Sequence, residues 1–156
     1  MNPAVILAVM LHFAHARTAR PGWEETAAII GAVTQNRAEA ALLITIAWAE
    51  NTLVTDGSRG VPFGVTCCWR NDGTWTPERA ARMALGIMRA GRAECHETHR
   101  AWIRYYSGAC RVRPPAHHRE SAGHRRMRIR AHRYALLADR QYQRALDEFR
   151  AHPAGL

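Results

Sequence analysis

The residues with most chemical potential lie in Ala47-Trp48-Ala49-Glu50-Asn51-Thr52. Glu50 closes the run "AEAALLITIAWAE", in which Thr45 is the only polar side chain between Glu39 and Glu50. A helix this apolar is hydrophobic nearly all round, the pattern of a buried central helix. Its C-terminal end is also the negative end of the helix dipole. Both effects disfavour the charged carboxylate and raise its pKa. A raised glutamate is what an enzyme needs to donate a proton near neutral pH. The bland alternative is a solvated Glu at an ordinary polar helix exit through Asn51-Thr52. Trp48, two residues earlier, points elsewhere on the helix and reads as core.

The rest of the chain must position that carboxyl. With 156 residues, 47% hydrophobic side chains and five Trp, it reads as one globular domain over 1–156. The expected fold class is all-α, or α+β at most, with one small irregular or hairpin lobe. Helices are predicted over 3–16, 22–35, 37–50, 77–90, 93–106 and roughly 120–150. Asn2-Pro3 and Thr76-Pro77 give cap-plus-proline starts, while Gly91 and Ser107-Gly108 read as stops. Residues 52–75 hold four Gly, one Pro, two Asp and one Asn, a density of turn formers that breaks the helical pattern. Gly60 and Gly64 in that segment supply backbone against which a ligand can lie. Residues 111–119, with Pro114-Pro115, read as a second loop.

Basic residues number 22 against 13 acidic ones, a formal charge of +9, and every one of the 22 is Arg. Such a balance favours polyanionic partners: nucleic acid, an anionic membrane surface or cell-wall polymer. The apolar segment 4–16 has the length of a signal-peptide core and ends in Ala14-His15-Ala16, yet it lacks a basic n-region. A packed first helix is the preferred reading of residues 1–16. The segment is too short to cross a membrane. The four Cys, at 67, 68, 95 and 110, lack C-x-x-C spacing, so neither a zinc site nor any other metal or cofactor is expected. Cys95 and Cys110 bracket one predicted helix and are candidates to pair across it. Disulfides would place the chain in an oxidising compartment; otherwise these are small buried residues.

In order, these parts resemble the lysozyme superfamily, and soluble lytic transglycosylases most closely. The resemblance covers about residues 37–110. It rests on a buried helix ending in Glu50, a loop with Gly60 and Phe63-Gly64, and Tyr105-Tyr106-Ser107-Gly108 after two further helices. "TDGS" (55–58) with "FGVTCCWRNDG" (63–73) is similar to animal lysozyme. The resemblance implies a helical domain with a catalytic cleft, its core about 22–110 followed by the basic helix. It makes Glu50 catalytic and places Ser58, Gly60, Phe63, Gly64, Thr66, Cys67, Tyr105 and Tyr106 along the substrate. It also sets Cys95 and Cys110 at the ends of one core helix, as a disulfide pair. The implied substrate is the β-1,4 bond between N-acetylmuramic acid and N-acetylglucosamine in peptidoglycan. The implied setting is the periplasm, cell envelope or exterior, for a monomer acting on glycan strands.

Two departures from the family pattern matter. Cys67 stands where the family has a Gln. The second lysozyme carboxylate falls at Gly60 or Pro62, and Asp56 reads as a turn residue. Retaining glycosidases hold two carboxylates about 5–5.5 Å apart, so the loss favours a single-acid transglycosylase. Two alternatives stand beside it. One is an inactive lysozyme-like binding module. The other is a basic helical nucleic-acid-binding protein, suggested by six Arg and four His between 117 and 133. No helix-turn-helix or zinc finger accompanies that cluster, and Met127, Ile129, Tyr134, Leu136 and Leu137 interrupt it.

Overall fold

Helix starts that the sequence marks become hydrogen bonds in the computed structural model, which describes residues 1–55, 61–65, 75–107 and 122–152. Asn2 Oδ1 accepts from the Ala4 N–H at 2.9 Å and opens α1 (Pro3–Phe13). α2 (Trp23–Val33) follows. Asn36 Oδ1 accepts from the Glu39 N–H at 3.0 Å, and the Glu39 carboxylate accepts from the Gln35 N–H, one residue before the cap, at 3.1 Å, a variant of the reciprocal capping box. That box opens α3 (Arg37–Asn51). Thr76 Oγ1 accepts from the Arg79 N–H at 3.3 Å, ahead of α4 (Pro77–Cys95), α5 (Thr98–Ser107) and α6 (Ala122–Ala151). The fold class is all-α: among the described residues there is no strand. What is described of the irregular segment contains a 3₁₀ turn at Pro62–Gly64 and no hairpin.

The chain forms two compact units, Met1–Leu85 with Gln141–Leu156, and Gly86–Arg140. In the first, α3 is the centre. Every residue from Ala40 to Ala47 is buried, which is more than two helical turns and therefore all sides of the helix. α1 buries Ile6, Val9, Met10 and Phe13. α2 buries Trp23, Ala27, Ile29 and Ile30. Trp48 is half-buried and meets Phe13 edge-on at 5.8 Å, at the margin of the core rather than inside it. The end of α6 contributes Tyr142, Ala145 and Phe149, with the Arg144 guanidinium 5.5 Å from the Phe13 ring centre.

In the second unit the helix boundaries depart from expectation. Gly91 does not end α4, which continues to Cys95, and the break comes at His96, whose φ is 61°. Gly91 is instead a close-approach position: a Cβ there would lie 3.3 Å from the Ala101 Cβ on α5. A larger side chain would push the two helices apart, so the glycine answers to packing and not to termination. Arg104 closes the same pair with a 2.8 Å ion pair to Glu94. Cys95 accordingly sits at the end of α4 and not at the start of α5. It is disulfide-bonded, to a partner outside the described residues, where Cys67, Cys68 and Cys110 also fall. Peptide mapping without reductant is expected to recover Cys95 cross-linked, with Cys110 as its partner. Cys95→Ser should cost about 2–4 kcal/mol in oxidised protein and little in protein unfolded under reductant. Equal melting points of the two proteins without reductant would contradict this.

Candidate active site

Glu50 lies in the last turn of α3, where the buried part of the helix gives way to solvent. Its side chain keeps exposed area, yet burial of its inner side raises the carboxyl pKa above the ordinary value of 4.5. Water still reaches one side of the carboxyl, which tempers the desolvation.

The backbone beyond Glu50 reverses sharply. Thr52 and Leu53 both adopt left-handed conformations, with φ of 52° and 65°, a region that costs a non-glycine residue about 1–2 kcal/mol. The reversal caps the helix: the Leu53 N–H donates to Ala47 O at 2.9 Å and the Thr52 N–H to Trp48 O at 3.2 Å, so the left-handed residues serve carbonyls of the last turn. Side chains of α2 hold it. The Trp23 indole N–H donates to Thr52 O at 3.2 Å. Thr26 Oγ1 is 2.9 Å from Leu53 O, 2.9 Å from Gly22 O and 3.0 Å from Thr55 Oγ1. Thr26 and Leu53 are fully buried, so their polar atoms have no water to fall back on.

Because of that reversal, the turn at Pro62–Gly64 returns to the end of α3. Phe63 is fully buried with φ 52°, which anchors the turn and leaves the Gly64 backbone against the carboxyl. Gly64 has φ 65°, and a Cβ on it would stand 2.8 Å from both Cγ and Cδ of Glu50 and 3.0 Å from Oε2. Only glycine fits. Main chain thus lies directly on one face of a raised carboxyl, while the other face keeps its exposure.

The structure therefore brings Glu50, Phe63 and Gly64 together. Ser58, Gly60, Thr66 and Cys67 lie outside the described residues, as do Asp56 and Gly108. Tyr105 belongs to the second unit, where it is half-buried and edge-on to Trp102 at 6.1 Å. Tyr106 follows it on α5, its side chain outside the description. Among the described residues no group of His, Cys, Asp and Glu is arranged to hold a metal ion. Comparison with protein-family models, curated proteins and solved structures returns no match for this chain.

Sequence reasoning missed Trp23 and Thr26. A Trp opening a helix, with a Thr three residues later, reads as two core positions. The available signal was that a buried indole N–H and a buried hydroxyl both require partners.

Thr26→Val keeps the volume but removes the hydroxyl that serves Leu53 O. We expect a loss of about 1–3 kcal/mol, the cost of a buried polar group left unmade, read as a lower melting temperature. A Thr26→Ser variant, which restores the oxygen, should recover most of it. An unchanged melt in Thr26→Val would mean that α2 does not hold the reversal.

Proposed function

We propose that the chain is a peptidoglycan-cleaving lytic transglycosylase or muramidase in which Glu50 is the single acid and base. The observation that carries this reading is the glycine backbone lying on one face of a Glu50 carboxyl whose pKa is raised by burial. Protonated, Glu50 gives its proton to the oxygen bridging N-acetylmuramic acid and N-acetylglucosamine, and the bond to the muramoyl anomeric carbon breaks. The resulting carboxylate then takes the proton of the muramoyl 6-hydroxyl, whose oxygen closes onto that carbon as a 1,6-anhydro ring. Glu50 ends protonated, and no water is consumed.

One group alternating between acid and base works best with a pKa near the working pH. Burial moves Glu50 in that direction. A disulfide at Cys95 suits a protein of the cell envelope or exterior, since such bonds persist in oxidising surroundings. The substrate is an extended glycan strand and the working form a monomer.

Mass spectrometry of purified peptidoglycan digested by the protein tests the chemistry. Muropeptides ending in 1,6-anhydro rings are the expected product. Reducing ends alone would replace the ring closure by hydrolysis, and undigested polymer would leave an inactive binding module in its place.

A further inference from the structure

The exposed large hydrophobic residues among those described are Ile129, Tyr134, Leu136 and Leu137, between 40% and 54% exposed. All four lie within nine residues of α6. Helical periodicity puts them on one half of its circumference, together with Arg126, Arg130 and Arg133. The opposite face carries Ala131, Ala135 and Ala138, all buried. This helix buries alanines and exposes the larger side chains. Arg126, Ile129, Arg130, Arg133, Tyr134 and Leu137 line an open groove of about 390 Å³. Arg130 bonds the Tyr134 hydroxyl at 3.3 Å and lies 5.4 Å from the centre of its ring. Among the described residues no carboxylate pairs with Arg126, Arg130 or Arg133.

We propose that this face of α6 docks the chain on an anionic lipid surface. Guanidinium groups at the phosphates would satisfy the charge, and Ile129, Leu136 and Leu137 would enter the boundary between headgroups and acyl chains. Tyr134, apolar in body and polar at its tip, suits the same boundary. A nucleic-acid backbone would answer the arginines equally well, but it offers nothing to three exposed aliphatic side chains. Those side chains decide for lipid. No described helix is long and apolar enough to cross a membrane, so α6 would lie in the interface plane. The proposal does not depend on the role of Glu50.

The test is co-sedimentation of the full chain with vesicles of phosphatidylglycerol and phosphatidylethanolamine, with vesicles of phosphatidylcholine alone, and binding to a double-stranded DNA fragment. Binding at least tenfold tighter to the anionic vesicles than to phosphatidylcholine is expected, weakening as salt rises. Arg126→Ala/Arg130→Ala/Arg133→Ala should weaken it about a hundredfold, at roughly fivefold per arginine. Ile129→Ser/Leu137→Ser, which keeps every charge, should weaken vesicle binding about tenfold or more and leave any DNA binding unchanged. The altered residues are exposed, so the thermal melt should not move, and Glu50→Gln should bind vesicles as the parent does. Equal binding to both vesicle types would overturn the proposal. So would vesicle binding that survives Ile129→Ser/Leu137→Ser, and tight DNA binding in that same case would make the face a phosphate-backbone site.

Discussion

Glu50→Gln is expected to fold as the parent chain does and to lose peptidoglycan turnover by about 100- to 10,000-fold, the range for removal of a general acid. Gln keeps the shape and a hydrogen-bonding end but can neither give nor take the proton. Asp56→Asn should be much milder, since nothing in the sequence supports a second catalytic carboxylate. Stability supplies an independent readout. Burial raises the folded-state pKa of Glu50 above 4.5, so below about that pH the carboxyl is protonated in both folded and unfolded chains and costs nothing. As pH rises through the raised value, the folded state alone bears the penalty of ionising it. Glu50→Gln should therefore melt higher than the parent at neutral pH and at the same temperature in acid. The parent's turnover should also fall as pH rises through the same value, because the acid must begin protonated. Parent-like turnover in folded Glu50→Gln would remove the enzymatic reading altogether.

Gly64→Ala should be nearly as severe for a different reason. The new methyl would stand 2.8 Å from Glu50 Cγ and Cδ, inside van der Waals contact, on a backbone at φ 65° that costs alanine about 1–2 kcal/mol. Either the turn moves or the carboxyl does. Displacement of a catalytic group by about 1 Å can cost roughly 100-fold in rate, and that loss is expected here along with a lower melting temperature. Gly86→Ala is the matching control: nothing lies within 4 Å of its Cβ position in the interior of α4, so it should gain up to about 1 kcal/mol. Pairing Gly64→Ala with Glu50→Ala separates the two causes. Without the Glu50 side chain the steric share disappears and only the left-handed strain remains. Additive losses in that double variant would mean that the two residues do not touch in solution.

The elements themselves were legible in the sequence because their causes are local. Asn2-Pro3 and Thr76-Pro77 start helices through contacts spanning two or three residues, and Asn36 with Glu39 is an equally local signal that the sequence reading did not use. The unbroken apolar run before Glu50 could only be a helix covered on every side, and it is. The placing of Glu50 where the apolar run ends follows from that run; its burial also involves the Pro62–Gly64 turn laid against it. Tertiary structure decided the remainder. Gly91 carries the local signature of a helix stop, but the proximity of Ala101, ten residues later, makes it a packing position. The reversal at Thr52-Leu53 holds two left-handed residues without glycine, which no local rule predicts. It persists because Trp23 and Thr26, some 27 to 29 residues earlier, serve its carbonyls. Contact of Gly64 with Glu50 depends in turn on that reversal and on burial of Phe63. On α6 the alternation of Arg with Ile, Tyr and Leu leaves the buried face undecided, and the alanine side, flat enough for close approach, is the one that packs. Local sequence sets which segments are helical and where charge stops being solvated; which residues then meet depends on side chains far apart in the chain sharing one small volume, and only packing selects among those meetings.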